Sequence, residues 1–433
     1  MHTQPARQEE INALEAAATR ASQAGQDEEA VRLWGKLLEA DPNHVRALTI
    51  NGQHAYRRGN LQAAQALFQR LVSVLGSGGD CQAWINLALT YQALNDEHGE
   101  EEAIRGALTA DSSDLVALIL RANLLEKQGH RHEAAWAHGS VATVAPPLER
   151  LVPNLRPAVK HALAYKEKYD QDYGAFMDQY LAPHYQTFAG EQLSRFQDSL
   201  DILVNRKKRV DSKSMTYHYP RLVPIEFFER SDFPWLDAIE AGTEAIRNEF
   251  LETLQQEDGF TPYLTYASDV PHNQFAELNN SPRWSAFHLY KSGERVEANA
   301  TKCPTTMTLL DQVPQPDQPG RTPTAMFSLL KPRTRIPAHV GVSNARLVTH
   351  LPLIVPESCG FRVGNETREW SPGKAWVFDD TIEHEAWNDS DKLRVVLIFD
   401  IWHPHLTPPE RAMITALTNG MNAFIGSAGG YEL

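Results

Sequence analysis

Three side chains late in this 433-residue chain have the types and spacing for metal-assisted chemistry. They are His339 in IPAHVGVSN, His384 in DTIEHEAWN, 45 residues on, and Arg394 in LRVVLIFDIW, ten further. Imidazole is a common ligand of first-row divalent metals, and two histidines can share one ion. Arg394 interrupts an apolar run, where a guanidinium is costly unless it meets an anion. A metal and an anionic co-substrate would account for all three. A lone strand histidine is more often an ordinary core or surface residue, so the text around these positions decides what they are.

That text is strand-like. From about residue 284 it reads WSAFHLY, TAMFSLL, ARLVTHLPLIV, GFRVG, AWVFDD and LRVVLIFDIW, separated by Gly, Pro, Asn and Asp. Six to eight short strands without intervening helices predict an antiparallel sandwich or barrel over this half.

The front half is built differently. Gly25, Gly59, Asn95 and Gly129 recur at offsets of 34, 36 and 34 residues. Ala47, Ala83 and Ala117 each stand 12 residues before the last three of these, and Ala30, Ala64 and Ala134 stand five after a turn. Small residues let paired helices approach, the turn residue reverses the chain, and prolines such as Pro42 and Pro146 stop a unit. This resembles tetratricopeptide repeats over 9–147, an array that would present a surface to a protein partner. A helical linker is expected over 148–214, the strand-rich domain over 215–410, and a helix and tail over 411–433.

Composition narrows the remaining classes. Lys plus Arg number 41 against 55 Asp plus Glu, a formal charge of −14, so no nucleic-acid partner is expected, and the basic run NRKKRV reads as a solvated linker. Three scattered cysteines make neither a disulfide framework nor a cysteine-rich zinc site. No run approaches the roughly 18 apolar residues of a membrane span, and MHTQPARQEEINALEAAA lacks a signal-peptide core. A cytoplasmic protein without membrane association is the expectation.

The words HVGVSNARLVTHLPLIVP, NETREW, FDD, EHE and WHP occur in order. Over about 215–410, and most densely over 328–404, the chain resembles the aspartyl/asparaginyl β-hydroxylase family. The resemblance implies a multidomain α + β protein: a helical repeat array, then a double-stranded β-helix of jelly-roll or cupin type. It further implies a 2-oxoglutarate-dependent dioxygenase using Fe(II) and O2 to hydroxylate an unactivated carbon, on an Asp- or Asn-type residue of a peptide or protein or on a related small substrate. Carried over by position, His339 and His384 are the iron ligands and Arg394 holds the distal carboxylate of 2-oxoglutarate with help from Ser328. His350 then lies near the other carboxylate, and Arg346 faces the substrate.

Gly341 stands where a ligating carboxylate usually follows the first histidine, a gap family members share, with water expected to complete the coordination. Asp379 and Asp380 read as turn residues before His384. Glu383 and Glu385 read either as partners orienting imidazole or as solvated charge. Two family arginines are missing: Val348 occupies one place, and Asn279 the other, with Arg283 off register before Trp284. Recognition of a peptide Asp or Asn side chain is the expectation these departures weaken. Two alternatives stand: a repeat-based interaction module with a degenerate β-domain, and a halogenase exploiting the gap at Gly341.

Overall fold

The computed structural model describes residues 3–76, 79–256, 258–267, 269 and 275–426. Residues 427–433, the tail expected after the last helix, lie outside them. The chain forms two compact units, Met1–Asn205 and Arg206–Leu433.

In the first unit, helices pair as consecutive hairpins. They are α1 (Thr3–Gln23) with α2 (Asp27–Ala40), α3 (Val45–Arg57) with α4 (Leu61–Leu75), α5 (Cys81–Leu94) with α6 (Glu97–Ala110), and α7 (Leu115–Lys127) with α8 (Arg131–Val144). The periodic turn residues sit at the reversals, each in the left-handed region: φ is +68° at Gly25, +74° at Gly59, 57° at Asn95 and +76° at Gly129. Glycine adopts that region without steric cost and asparagine tolerates it, which is why those types recur there. The periodic alanines Ala30, Ala47, Ala64, Ala83, Ala117 and Ala134 are all buried at the helix contacts. Long α9 (Arg156–Thr187), in the stretch expected as a linker, packs Val159 and Ala162 against the last hairpin. α10 (Ser194–Leu203) completes the unit.

The second unit opens with α11 (Leu236–Ala241) and α12 (Thr243–Gln256), followed by β1 (Thr261–Pro262), β2 (Trp284–Lys291) and β3 (Glu294–Arg295). After α13 (Glu297–Ala300) and α14 (Pro304–Leu310) come β4 (Ala325–Leu330), β5 (Thr334–His339), β6 (Arg346–Ile354), β7 (Cys359–Val363), β8 (Glu366–Arg368), β9 (Trp376–Phe378), β10 (His384–Asn388) and β11 (Arg394–Trp402). The last helix, α15 (Pro408–Ile425), begins at a capping box made by Thr407 and Glu410. The strands form two antiparallel sheets, a larger one ordered β1-β2-β4-β11-β6-β9 with β3 beside β2, and a smaller one ordered β5-β10-β7-β8. This is the jelly-roll architecture expected of the strand-rich half.

Alternation along the strands separates core from site. In β11, Val395, Leu397, Phe399 and Ile401 join an apolar core with Phe250 of α12 and Met307 of α14. Arg394, Ile398 and Asp400 point the other way, into a cavity between the sheets. β4 and β6 run in the same phase, sending Met326, Ser328, Val348 and His350 to the cavity while Phe327, Leu329, Leu347 and Leu351 join the core.

Close packing in the helical unit is tested at Gly52, where an added methyl would lie 2.6 Å from the ring of buried Phe68. Gly52→Ala is expected to destabilise that unit by about 1–3 kcal/mol through overpacking. Thermal unfolding of the full chain, followed by circular dichroism in the helical band, checks this, and Phe68→Leu in the same background should recover part of the loss.

Candidate active site

The site begins with a strand pairing. β5 and β10 run antiparallel with His384 opposite His339, and a bulge follows between residues 384 and 386. The two rings lie with centroids 4.1 Å apart. Each Nδ1 is held by a carbonyl two residues earlier, His339 by Pro337 O at 2.7 Å and His384 by Ile382 O at 3.0 Å. A carbonyl only accepts, so each Nδ1 carries the hydrogen and each Nε2 keeps its lone pair, the state a metal requires. Burial pushes both imidazoles down, His384 to about 4 and His339, beside His384, to about 3, so both are neutral at physiological pH.

Gly341, two residues after His339, is backed by Asp380. A side chain at 341 would overlap the Asp380 carboxylate, and Gly341 N donates to Asp380 O at 2.6 Å. Asp380 therefore brings a carboxylate into the space that a ligand at 341 would have used, and its Oδ1 is buried without a hydrogen-bond partner. Burial raises its pKa, with Arg346 opposing. Asp379 behaves as a turn residue, accepting from Thr381 N at 2.9 Å and Thr381 Oγ1 at 2.6 Å. Glu383 and Glu385 pair with Arg362 on the face of the small sheet, at 3.1 and 2.5 Å.

The arginine side of the cavity lies on the large sheet. Arg394 is 1% exposed, and its Nη1 reaches Ser328 Oγ at 3.4 Å and Ser328 O at 3.5 Å. The guanidinium lies 4.6 Å from the Trp370 ring centroid, while its Nε has no hydrogen-bond partner. Burial lowers its pKa to about 10, and among the described residues no carboxylate pairs with it. Trp284 Nε1 donates to the same Ser328 Oγ at 3.3 Å. His350 sits between Phe361 and Phe378, each ring 4.9 Å away, with its buried Nδ1 unpartnered. Unpaired buried cations and orphaned donors are expensive, and a bound dicarboxylate would satisfy them.

His339, His384, Arg394, Ser328 and His350 thus line one cavity of about 490 Å³. Arg346 is placed differently. Its guanidinium is 2% exposed and lies between Asp380 and Asp400, at 3.0 and 3.3 Å. Burial alone works against its charge, but these two carboxylates together outweigh it and hold the arginine firmly protonated. Asp400, buried beside them, is pushed up to about 6. Neither aspartate partner was legible in the sequence, because residues 380 and 400 meet Arg346 only through the register of β6 and β11 and the loop before β10.

The remaining group of close metal-ligating side chains among the described residues belongs to the helical unit. There His138 Nε2 and His161 Nε2 lie 3.0 and 2.7 Å from Glu126 Oε2, distances at which both Nε2 atoms are hydrogen-bonded to the carboxylate, while the buried His138 Nδ1 has no partner.

The site is thus a jelly-roll cavity holding two histidines with free Nε2 lone pairs and a buried arginine that meets no carboxylate among the described residues. Residues 240–404 match the family described as "Aspartyl/Asparaginyl beta-hydroxylase". An ornithine lipid ester-linked acyl 2-hydroxylase from Rhizobium tropici is 36% identical over 211 residues, covering 48% of this chain and 71% of that protein. The human aspartyl/asparaginyl beta-hydroxylase is 34% identical over 181 residues, 42% of this chain but only 22% of that protein. The chain belongs to the aspartyl/asparaginyl β-hydroxylase family. Among solved structures, the MamA protein aligns with a TM-score of 0.32 and 15% identity over 42% of this chain and 97% of that one. YrrB, a tetratricopeptide protein, aligns with a TM-score of 0.30 and 14% identity over 44% of this chain and 84% of that one.

The two-sided ion pairing of Arg346 makes a test. Arg346→Ala leaves two buried carboxylates without their cation, so it should cost about 3–5 kcal/mol of stability. Urea unfolding of the full chain measures the loss; a variant as stable as the parent would show that the arginine is not the structural counter-ion.

Proposed function

We propose that this protein is an Fe(II)- and 2-oxoglutarate-dependent dioxygenase that hydroxylates an unactivated carbon. One observation carries the reading: a paired, neutral His339–His384 edge and a buried arginine without a carboxylate, Arg394, share a single cavity. The donor set suits a labile divalent metal, since two imidazoles present lone pairs and a nearby carboxylate occupies the space at Gly341. The orphaned Arg394 and His350 suit a short dicarboxylate whose two ends need different partners.

When bound, iron and 2-oxoglutarate together activate O2 for oxidation of a C–H bond. The chain's own tasks are then separable. Pro337 O and Ile382 O fix the tautomer and aim of the two imidazoles, so that no histidine proton has to leave before metal binds. Arg394, oriented by Ser328 and by the Trp370 face, receives the distal carboxylate as a charge-assisted pair. His350 is neutral, held well below the ordinary histidine range by burial and by Arg394, and can meet the other end by hydrogen bonding. The aromatic walls exclude water from the reacting centre. Hydroxylation is favoured over halogenation because Asp380 fills the space that the gap at Gly341 would have left for a halide. We further assign to the helical unit the recognition of a protein or peptide, since every proposed ligand lies in the other unit.

Two outcomes are expected. His384→Ala should lose iron, because a single remaining imidazole cannot retain a labile ion; metal analysis after anaerobic loading reads this, and iron content equal to the parent's would refute the assignment. Arg394→Ala should keep iron but weaken 2-oxoglutarate by about 2–5 kcal/mol, with Arg394→Lys intermediate for want of the planar fork. Titration through the absorbance of the iron–2-oxoglutarate chelate is the measurement, and undiminished affinity in the alanine variant would remove Arg394 from its role.

A further inference from the structure

Away from the jelly-roll cavity, Glu126 of α7, His138 of α8 and His161 of α9 converge in the helical unit, with one ligating atom of each within 4.8 Å of the others. Three helices supply one residue each, so the cluster exists only because α9 docks on the last hairpin through Val159 and Ala162, which flank His161. Both imidazoles aim Nε2 at the same oxygen, Glu126 Oε2. Their rings stand edge to face at 83°, with centroids 5.3 Å apart. Tyr165, one turn after His161, packs its ring 4.5 Å from that of His138. Two hydrogen bonds to one oxygen are one use of this arrangement, but the tautomer they need is not otherwise fixed. His138 is 1% exposed, yet no donor among the described residues meets its Nδ1. A donor at Nδ1 would have locked the hydrogen on Nε2; without one, Nε2 is free to give its lone pair to a cation.

A tetrahedral zinc site with bonds of about 2.0–2.1 Å sets neighbouring donor atoms about 3.3 Å apart. The two Nε2–Oε2 separations here are 3.0 and 2.7 Å, so small side-chain rotations are enough to seat the ion. One side of the cluster is open, Glu126 being 33% and His161 51% exposed. That leaves an entry path and room for water as a fourth ligand. We propose that Glu126, His138 and His161 form a zinc site that ties α9 to the last helical hairpin. Two imidazoles and a carboxylate suit that ion, and the carboxylate offsets part of its charge. The role is structural: the ion joins three separate helices, and none of its ligands lines the cavity between the sheets.

The test uses the full chain, stripped of metal by a chelator that is then removed. It is run in His384→Ala, which lacks one of the two proposed active-site ligands, so that zinc in the helical unit is counted alone. After incubation with zinc and gel filtration, metal analysis should give one zinc per chain, and His161→Ala in the same background should lose nearly all of it. With zinc at a roughly hundred-fold excess over its dissociation constant, the thermal midpoint in the helical circular-dichroism band should rise by about 5–10 °C. His161→Ala should abolish that rise. Glu126→Gln separates a metal site from a purely hydrogen-bonded triad. Its amide oxygen still accepts from an imidazole, so the midpoint without zinc should stay near the parent's, whereas zinc affinity should fall by about ten-fold or more. No zinc retained in the His384→Ala chain overturns the proposal, as does a zinc content that His161→Ala leaves unchanged. A midpoint that zinc does not move, but that His161→Ala lowers equally with and without the metal, also overturns it and leaves the cluster as hydrogen bonds alone.

Discussion

The pairing of β5 with β10 is the constraint on which the site depends. His339 and His384 come from strand ends 45 residues apart in sequence, and only their opposition in the antiparallel register places both rings on one side of the small sheet. Side chains alternate faces along a strand, so a slip of one residue would turn one imidazole away from the cavity. The bulge between residues 384 and 386 lets that register hold at the ligand while the rest of β10 pairs with its neighbours. Carbonyls from the same local turns then hold both Nδ1 atoms, so the backbone that sets the register also sets the tautomer.

A second constraint is electrostatic. Two aspartates and an arginine buried together are tolerable only because the arginine meets both. Asp380 belongs to this cluster and to the histidine side of the cavity at once, since its carboxylate occupies the space beside Gly341. The absent side chain at 341 and the buried cluster are therefore one arrangement: a larger residue at 341 would displace the carboxylate on which Arg346 depends.

Much of this was legible in the residues themselves. The period of Gly25, Gly59, Asn95 and Gly129 reports left-handed turn positions, which tolerate few residue types, so the helical hairpins could be read from spacing alone. Arg394 stood out because a cation in an apolar run is costly, and the structure places it at a strand position facing the cavity. What stayed hidden depends on long-range pairing. Arg346 reads as one more polar residue at a strand start, and nothing local announces that Asp380 and Asp400 converge on it. Trp370, whose ring faces the Arg394 guanidinium, likewise reaches it only through the folded sheets.

The shared phase of β4, β6 and β11 explains how such a site can change its substrate while keeping its fold. In each strand one set of alternating positions packs against the helices and the other faces the cavity. Leu347 and Leu351 support the core, whereas Val348 between them lines the cavity and packs in the second apolar cluster. Exchanging a residue at 348 therefore alters the chemistry offered to the substrate without creating a void in the core behind the sheet, where losses of packing are felt most. On the proposed function Arg394 and the two histidines have no such freedom, because each would serve a group common to every substrate. On the proposed function, specificity would be carried by the side chains between the ligands, among which Met326, Ile336, Val348 and Ile398 are apolar.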